Sequence, residues 1–209
     1  MTIRRLGIFG GTFNPVHLGH LLLAERAREQ YQLDQVWFIP TAIPPHKSSR
    51  DLVSGRERLT LLRLAIRGNP AFRASDLELQ LGGVSYSIRT LEHLHRRYPR
   101  AKLFLLVGSD MLTVSWHRLD DIARLCTFLV AKRPASRPRA SIRKDQAHRV
   151  VSAVPRTFIR AKPIDMPQLD LSSSAIRARV HRGTSIRYLV PEAVERYLAT
   201  HRLYRGSRR

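Results

Sequence analysis

The chain has 209 residues, 43% of them apolar, and a formal net charge of +21. That length supports one substantial core and argues for a single domain, and no run of about 18 apolar residues exists to cross a membrane. Cys126 is the only cysteine, which excludes an internal disulfide and a thiolate zinc cluster. The opening segment Met1–Leu6 lacks the apolar stretch and small-residue cleavage site of a signal peptide, so a cytoplasmic location is expected. Arginine supplies most of the positive charge, since the lysines are only Lys47, Lys102, Lys132, Lys144 and Lys162. The basic residues are scattered, so the charge reads first as a solvated surface. An enzyme that draws in polyanionic small molecules and a basic nucleic-acid-binding module stay open beside it.

In chain order, Leu6–Gly10 is predicted as the first strand and Leu21–Tyr31 as an amphipathic helix. Val36–Pro40 forms a second strand, followed by a polar, proline-bearing loop from Thr41 to Val53. Ser54 and Glu57 have capping-box spacing and open a helix that runs to Gly68. Phe72–Leu79 is expected as a strand and Ser87–Tyr98 as a helix. Lys102–Gly108 and Thr127–Ala131 read as strands buried on both faces, with a short helix, Leu119–Leu125, between them. Cys126 is expected to fill the core. Arg133–Arg143 is a basic surface loop, with a lid as the alternative, and Thr157–Ala161 is expected as a late strand. Helices over Ser173–Arg182 and Pro191–His201 close the chain. Strands alternating with helices predict an α/β, Rossmann-like doubly wound fold. Its sheet is mostly parallel, with helices on both faces. Ligands in such sheets bind beyond the carboxyl ends of the strands. The Gly10-Gly11 turn, the Thr41–Lys47 loop and Gly108-Ser109-Asp110 would share that rim.

Neither Gly-x-Gly-x-x-Gly nor Gly-x-x-x-x-Gly-Lys-Ser/Thr is present. A dinucleotide fingerprint and a phosphate-loop NTPase are therefore not indicated. Instead, Gly10-Gly11-Thr12-Phe13-Asn14-Pro15-Val16-His17-Leu18-Gly19-His20 joins the first strand to the first helix. Glycine allows close backbone approach, a helix N-terminus offers unpaired N–H groups, and His17 and His20 at i and i+3 share one helix face. The combination suits phosphate binding.

Two motifs, His17-Leu18-Gly19-His20 and Leu171-Ser172-Ser173-Ser174-Ala175-Ile176-Arg177, resemble the paired signatures of the nucleotidyltransferase superfamily. Ile43-Pro44-Pro45-His46-Lys47, Ser85-Tyr86-Ser87-Ile88-Arg89-Thr90-Leu91, Gly108-Ser109-Asp110 with Trp116, and Tyr188–Tyr204 bring the match closest to the bacterial nicotinate-nucleotide adenylyltransferases. The resemblance covers almost the whole chain. It implies adenylyl transfer from ATP to nicotinate mononucleotide, with magnesium arriving on ATP and no metal bound by the protein alone. His17, His20 and Arg177 would be the catalytic residues. Gly10, Gly11, Thr12, Phe13, Gly108, Asp110, Ser173 and Ser174 would join them around ATP. His46, Lys47, Ser85, Tyr86, Ser87, Trp116 and His117 would bind nicotinate mononucleotide, the pyridine ring stacking on Trp116. Three positions depart from the pattern: Asn14 stands for Asp, Ser174 for Thr, and Arg89 for Asp or a neutral residue, which places a positive charge beside the expected acceptor pocket. Related adenylyltransferases acting on nicotinamide mononucleotide or phosphopantetheine are the nearest alternatives. No nucleic-acid partner is expected, and the sequence leaves a homo-oligomer open.

Overall fold

The computed structural model describes residues 2–45, 52–131, 158 and 160–205. Strands β1 (Arg5–Gly11), β2 (Gln35–Pro40), β3 (Phe72–Ala74), β4 (Lys102–Gly108), β5 (Cys126–Ala131) and β6 (Lys162–Ile164) form one sheet. All neighbours run parallel, in the order β3-β2-β1-β4-β5-β6, which is the doubly wound order with its reversal at β1 and β4. The helices are α1 (Leu18–Gln30), α2 (Gly55–Ala65), α3 (Leu77–Leu81), α4 (Ser87–Arg97), α5 (Leu119–Leu125), α6 (Ser173–His181) and α7 (Glu192–Thr200).

Alternation along the strands divides the core into two layers. Phe9, Phe38, Phe104, Leu106 and Leu129 pack under α1, α2, α6 and α7 through Leu23, Ala27, Leu62, Ile176, Val194 and Leu198. Ile8, Trp37, Ile39, Leu105 and Phe128 pack under α3, α4 and α5 through Leu77, Ile88, Leu91, Leu94 and Ile122. The expected two-sided burial of the central strands is what the continuous apolar runs produce. The two C-terminal helices belong to the first layer rather than to a separate body. No described helix is long and apolar enough to cross a membrane.

Several boundaries differ from the sequence reading, and α2 ends at Ala65 rather than Gly68. Helix α1 begins at Leu18, with extended His17 as its N-cap, so His20 falls in its first turn. The strand expected over Phe72–Leu79 stops at Ala74, because Ser75 accepts the Leu77 N–H at 3.3 Å and turns the chain into α3. The last strand described is Lys162–Ile164; of the span expected over Thr157–Ala161, Thr157 and Ile159 lie outside the described residues, and Ala161 N–H donates to Phe158 O at 2.9 Å, closing a turn ahead of the strand. Pro163 is tolerated because β6 is an edge strand. The predicted capping box of α2 is present: Glu57 N–H donates to Ser54 Oγ at 3.2 Å, and Ser54 N–H to Glu57 Oε2 at 3.0 Å. Cys126 is a free, partly buried thiol that burial pushes up to about 12, well away from reactive thiolate. Arg133–Arg143, His46 and Lys47 lie outside the described residues.

Candidate active site

A cleft of about 730 Å³ opens at the carboxyl ends of β1, β2 and β4, within the size range of small-molecule sites. Gly10, Gly11, Thr12, Phe13, His17, His20, Gly108, Asp110, Ser173, Ser174 and Arg177 line it. Ser85, Tyr86, Ser87, Trp116 and His117 line it as well. Residues from both ends of the chain therefore share one cavity. The reason is topological: β1 and β4 are adjacent, and α6 returns over the loop that leaves β1.

The imidazoles of His17 and His20 stack with centroids 3.6 Å apart. His17 N–H donates to His20 Nδ1 at 3.2 Å, which places the proton of a neutral His20 ring on Nε2. That tautomer leaves His20 a donor on its far nitrogen. Gly19 lets the His17 ring lie close, because a Cβ there would sit 3.1 Å from His17 Nδ1 and push the ring aside. Gly11 likewise makes room for the ring of Phe13, 3.1 Å from where its Cβ would be, whereas a Cβ at Gly10 would meet only Glu78 Oε1, at 4.0 Å. Phe13 is 2% exposed, and its ring packs edge-on against Phe9 and His20. Its side chain thus buttresses His20. With φ of 47° it also holds the loop in the left-handed region that non-glycine residues avoid.

The C-terminal motif grips that same loop. Ser172 caps α6 by accepting the Ala175 N–H at 3.2 Å. Ser173 Oγ donates to Pro15 O at 2.8 Å, and Arg177 Nη1 donates to Asn14 O at 2.9 Å. Arg177 Nε is buried without a hydrogen bond among the described residues. In this state, then, Ser173 and one arm of Arg177 fasten the loop as well as bordering the cleft.

In the same cleft, Trp116 Nε1 donates to Met111 O at 2.8 Å, and its ring meets Phe128 and Phe158 edge-on. Tyr86 and His117 face each other at 4.5 Å. Ser87 begins α4 and lines the cavity. Ser85, besides lining the cleft, accepts the Ala42 N–H on its Oγ at 2.8 Å, tying the loop after β2 to the approach of α4. Arg89, expected to bring charge to the acceptor pocket, reaches back instead. It donates to Leu81 O, Gly82 O and Val84 O at 3.1, 2.8 and 3.4 Å.

Three residues escaped the sequence reading as parts of the site and its supports. Arg58 is 1% exposed and donates to the carbonyls of Val53, Thr12 and Thr41. Asn14 Oδ1 accepts from Tyr204 Oη at 2.6 Å and from Val53 N at 3.3 Å. Asn14, noted only as a substitution for Asp, is therefore where α2, α6 and the C-terminal segment meet the first loop. Glu78, 6% exposed, accepts the Thr90 hydroxyl at 2.7 Å and lines the cleft. Its only trace in the sequence is a charge inside the apolar run Leu77-Glu78-Leu79. Among the described residues no group of three or more His, Cys, Asp or Glu side chains is arranged to hold a metal.

The profile of the cytidylyltransferase-like family matches residues 8–179. A Salinibacter ruber protein named a probable nicotinate-nucleotide adenylyltransferase is 42% identical over 97% of this chain and 98% of its own length. A Citrifermentans bemidjiense protein of the same name is 44% identical over 98% and 100%. The solved structure of Plasmodium falciparum nicotinic acid mononucleotide adenylyltransferase complexed with NaAD superposes with a TM-score of 0.76. At 17% identity, over 96% of this chain and 97% of that one, it supports the fold alone. With the cleft, the two end motifs and full-length relatives above 40% identity in agreement, the chain belongs to the cytidylyltransferase-like family, among the nicotinate-nucleotide adenylyltransferases.

Proposed function

We propose that this enzyme transfers the adenylyl group of ATP to nicotinate mononucleotide, releasing pyrophosphate and nicotinate adenine dinucleotide in NAD biosynthesis. The observation that carries the reading is that His17, His20, the α6 N-terminus and Arg177 share one cleft with Trp116, Tyr86 and His117. In the reaction, an oxygen of the acceptor phosphate attacks the α-phosphorus of ATP. The bond from that phosphorus to the α–β bridging oxygen breaks, and pyrophosphate leaves with the electron pair. Such transfers depend on positioning and charge neutralisation rather than on a protein nucleophile.

His20 Nε2–H and the His17 ring are the proposed donors to the triphosphate, held in register by the His17–His20 hydrogen bond. The N–H groups of α6, the Ser174 hydroxyl and the remaining donors of Arg177 are assigned to the departing pyrophosphate. Gly10, Gly11 and Thr12 would give the nucleotide close backbone approach, with Gly108 and Asp110 at its sugar and base. Trp116 is assigned the pyridine face, an electron-rich surface for an electron-poor ring. The Ser87 N–H and the neighbourhood of His117 are assigned its carboxylate. His46 and Lys47, on the motif alone, are assigned the acceptor phosphate. Magnesium would enter on ATP and shield its phosphate charge; a hexacoordinate ion that keeps several waters needs few protein ligands. A cytoplasmic location belongs to the same reading.

The test is pyrophosphate release with ATP and each of three acceptors: nicotinate mononucleotide, nicotinamide mononucleotide and phosphopantetheine. Nicotinate mononucleotide should give the highest kcat/KM, and preference for either competitor refutes the assignment. His20→Ala should lower kcat by about 100-fold, the scale for losing a positioned transition-state donor. Turnover near wild type would remove His20 from the chemistry.

A further inference from the structure

Glu78 presents an unfinished hydrogen-bond arrangement inside the cleft. Its carboxyl group is almost wholly buried on α3, and Oε1 accepts the Thr90 hydroxyl at 2.7 Å. Oε2 is buried without a hydrogen bond of ordinary length among the described residues, with the Ser85 hydroxyl near enough to favour the charged carboxylate. An acceptor left this way is costly, so buried carboxylate oxygens are normally matched by a donor. The nearby cations are already engaged, Arg58 with three backbone carbonyls and Arg89 with the carbonyls after α3. Across from Glu78 stands Gly10, where an added Cβ would find only Glu78 Oε1, at 4.0 Å. The missing side chain leaves room over β1 on the Oε1 side of the carboxylate.

We propose that Glu78 recognises the ribose of the acceptor mononucleotide by accepting a hydrogen bond from one of its hydroxyls at Oε2. The inference rests on the adenylyl-transfer reading. Glu78 lines the cleft beside Ser85, Tyr86 and Ser87, the half assigned to the acceptor. Nicotinate mononucleotide carries a carboxylate and a phosphate, which accept hydrogen bonds, and a pyridinium ring without N–H. Its two ribose hydroxyls are its principal donors at neutral pH. A carboxylate in this half of the cavity meets that ligand favourably only at the sugar. The same negative charge repels the ligand's two anionic ends and so helps seat it in one orientation. Glu78 is thereby a specificity-determining residue, selecting a ribonucleotide over a deoxyribonucleotide, with Thr90 holding its side chain in place.

The experiment compares kcat/KM for nicotinate mononucleotide and its 2′-deoxy and 3′-deoxy analogues at saturating ATP, in wild type, Glu78→Ala and Glu78→Gln. Wild type should discriminate against one analogue by about 10- to 100-fold, the range for one hydrogen bond to a charged group. Glu78→Ala should bring that ratio close to 1 with KM for ATP unchanged. Glu78→Gln, which keeps the volume and one acceptor oxygen, should reduce the ratio partway and decides the matter if the alanine variant does not fold. A variant that loses activity equally toward all three acceptors, with the wild-type ratio intact, overturns the proposal and leaves Glu78 a structural carboxylate. So does a variant whose only change is in nicotinate against nicotinamide preference, since Glu78 would then meet the ring substituent. If wild type releases no pyrophosphate with nicotinate mononucleotide, the adenylyl-transfer reading fails and this one with it. An unchanged ribose ratio sinks this one alone.

Discussion

Arg58 is the most deeply buried charge described in the molecule, and among the described residues its hydrogen bonds go to backbone carbonyls and to no carboxylate. The guanidinium donates to Val53 O at 3.1 Å, Thr12 O at 3.0 Å and Thr41 O at 2.7 Å. It thus ties the loop after β1 to the loop after β2 and to the start of α2. Burial lowers its affinity for a proton, and Tyr204 and Glu78 nearby act the other way. Arg58→Met keeps an apolar stem of similar length and removes every donor. Each lost bond to a charged donor is worth about 1.5–3 kcal/mol, and relief of the guanidinium's desolvation returns part of the sum. Three orphaned carbonyls remain, so the net loss should be about 3–5 kcal/mol, the scale for breaking a buried polar network. For a chain of this size about 2–4 °C of Tm follows each kcal/mol, so Tm should fall by at least about 6 °C. Thermal unfolding followed by circular dichroism measures this. Because Thr12 and Thr41 both line the cleft, kcat/KM should fall too when assayed well below the new Tm. A variant melting within about 2 °C of wild type would refute the reasoning, because the three carbonyls would then have been satisfied without the guanidinium.

Gly19→Ala places a methyl group 3.1 Å from His17 Nδ1, so the ring must move by a few tenths of an ångström. Turnover should fall by about 10-fold, with Tm changed by less than about 3 °C. An unchanged kcat would show that the spacing of the histidines tolerates the shift. Tyr204→Phe removes the 2.6 Å hydrogen bond to Asn14 and should cost about 1 kcal/mol, read as a small drop in Tm, with KM for ATP rising because Asn14 O also holds Arg177. Wild-type values in both measurements would dissolve the proposed link. Burial raises the Glu78 carboxyl above its ordinary value of 4.5; the Thr90 and Ser85 hydroxyls and the charges of Arg89 and Arg58 offset this in part. The folded state therefore binds the Glu78 proton more tightly than the unfolded chain does. This stabilisation is full below the unfolded value and is lost as pH rises through the folded one. The Tm of wild type minus that of Glu78→Gln should accordingly decrease between about pH 4 and about pH 8. A difference that grows with pH would reverse the sign and refute the assignment.

The sequence by itself determined the elements whose signal is local. Strand β4 stands at Lys102–Gly108 and α5 at Leu119–Leu125, as read, because a continuous apolar run marks the one, and acidic residues in the first turn with Arg124 in the last mark the other. His17, His20 and the helix opened by Ser172 were legible because their chemistry is bound to spacing along a few residues. Tertiary structure decided what depends on contacts across the chain. The loop 12–15 is held by Arg58, Ser173, Arg177 and Tyr204, whose partners lie from 46 to 190 residues away. Arg89 turns from the pocket because the carbonyls after α3 need donors, and Glu78 enters the cleft because the turn at Ser75 ends β3 early. Periodicity reports which face of an element is buried. Which backbone group a buried charge satisfies is fixed only when distant loops meet, and no local pattern encodes that meeting.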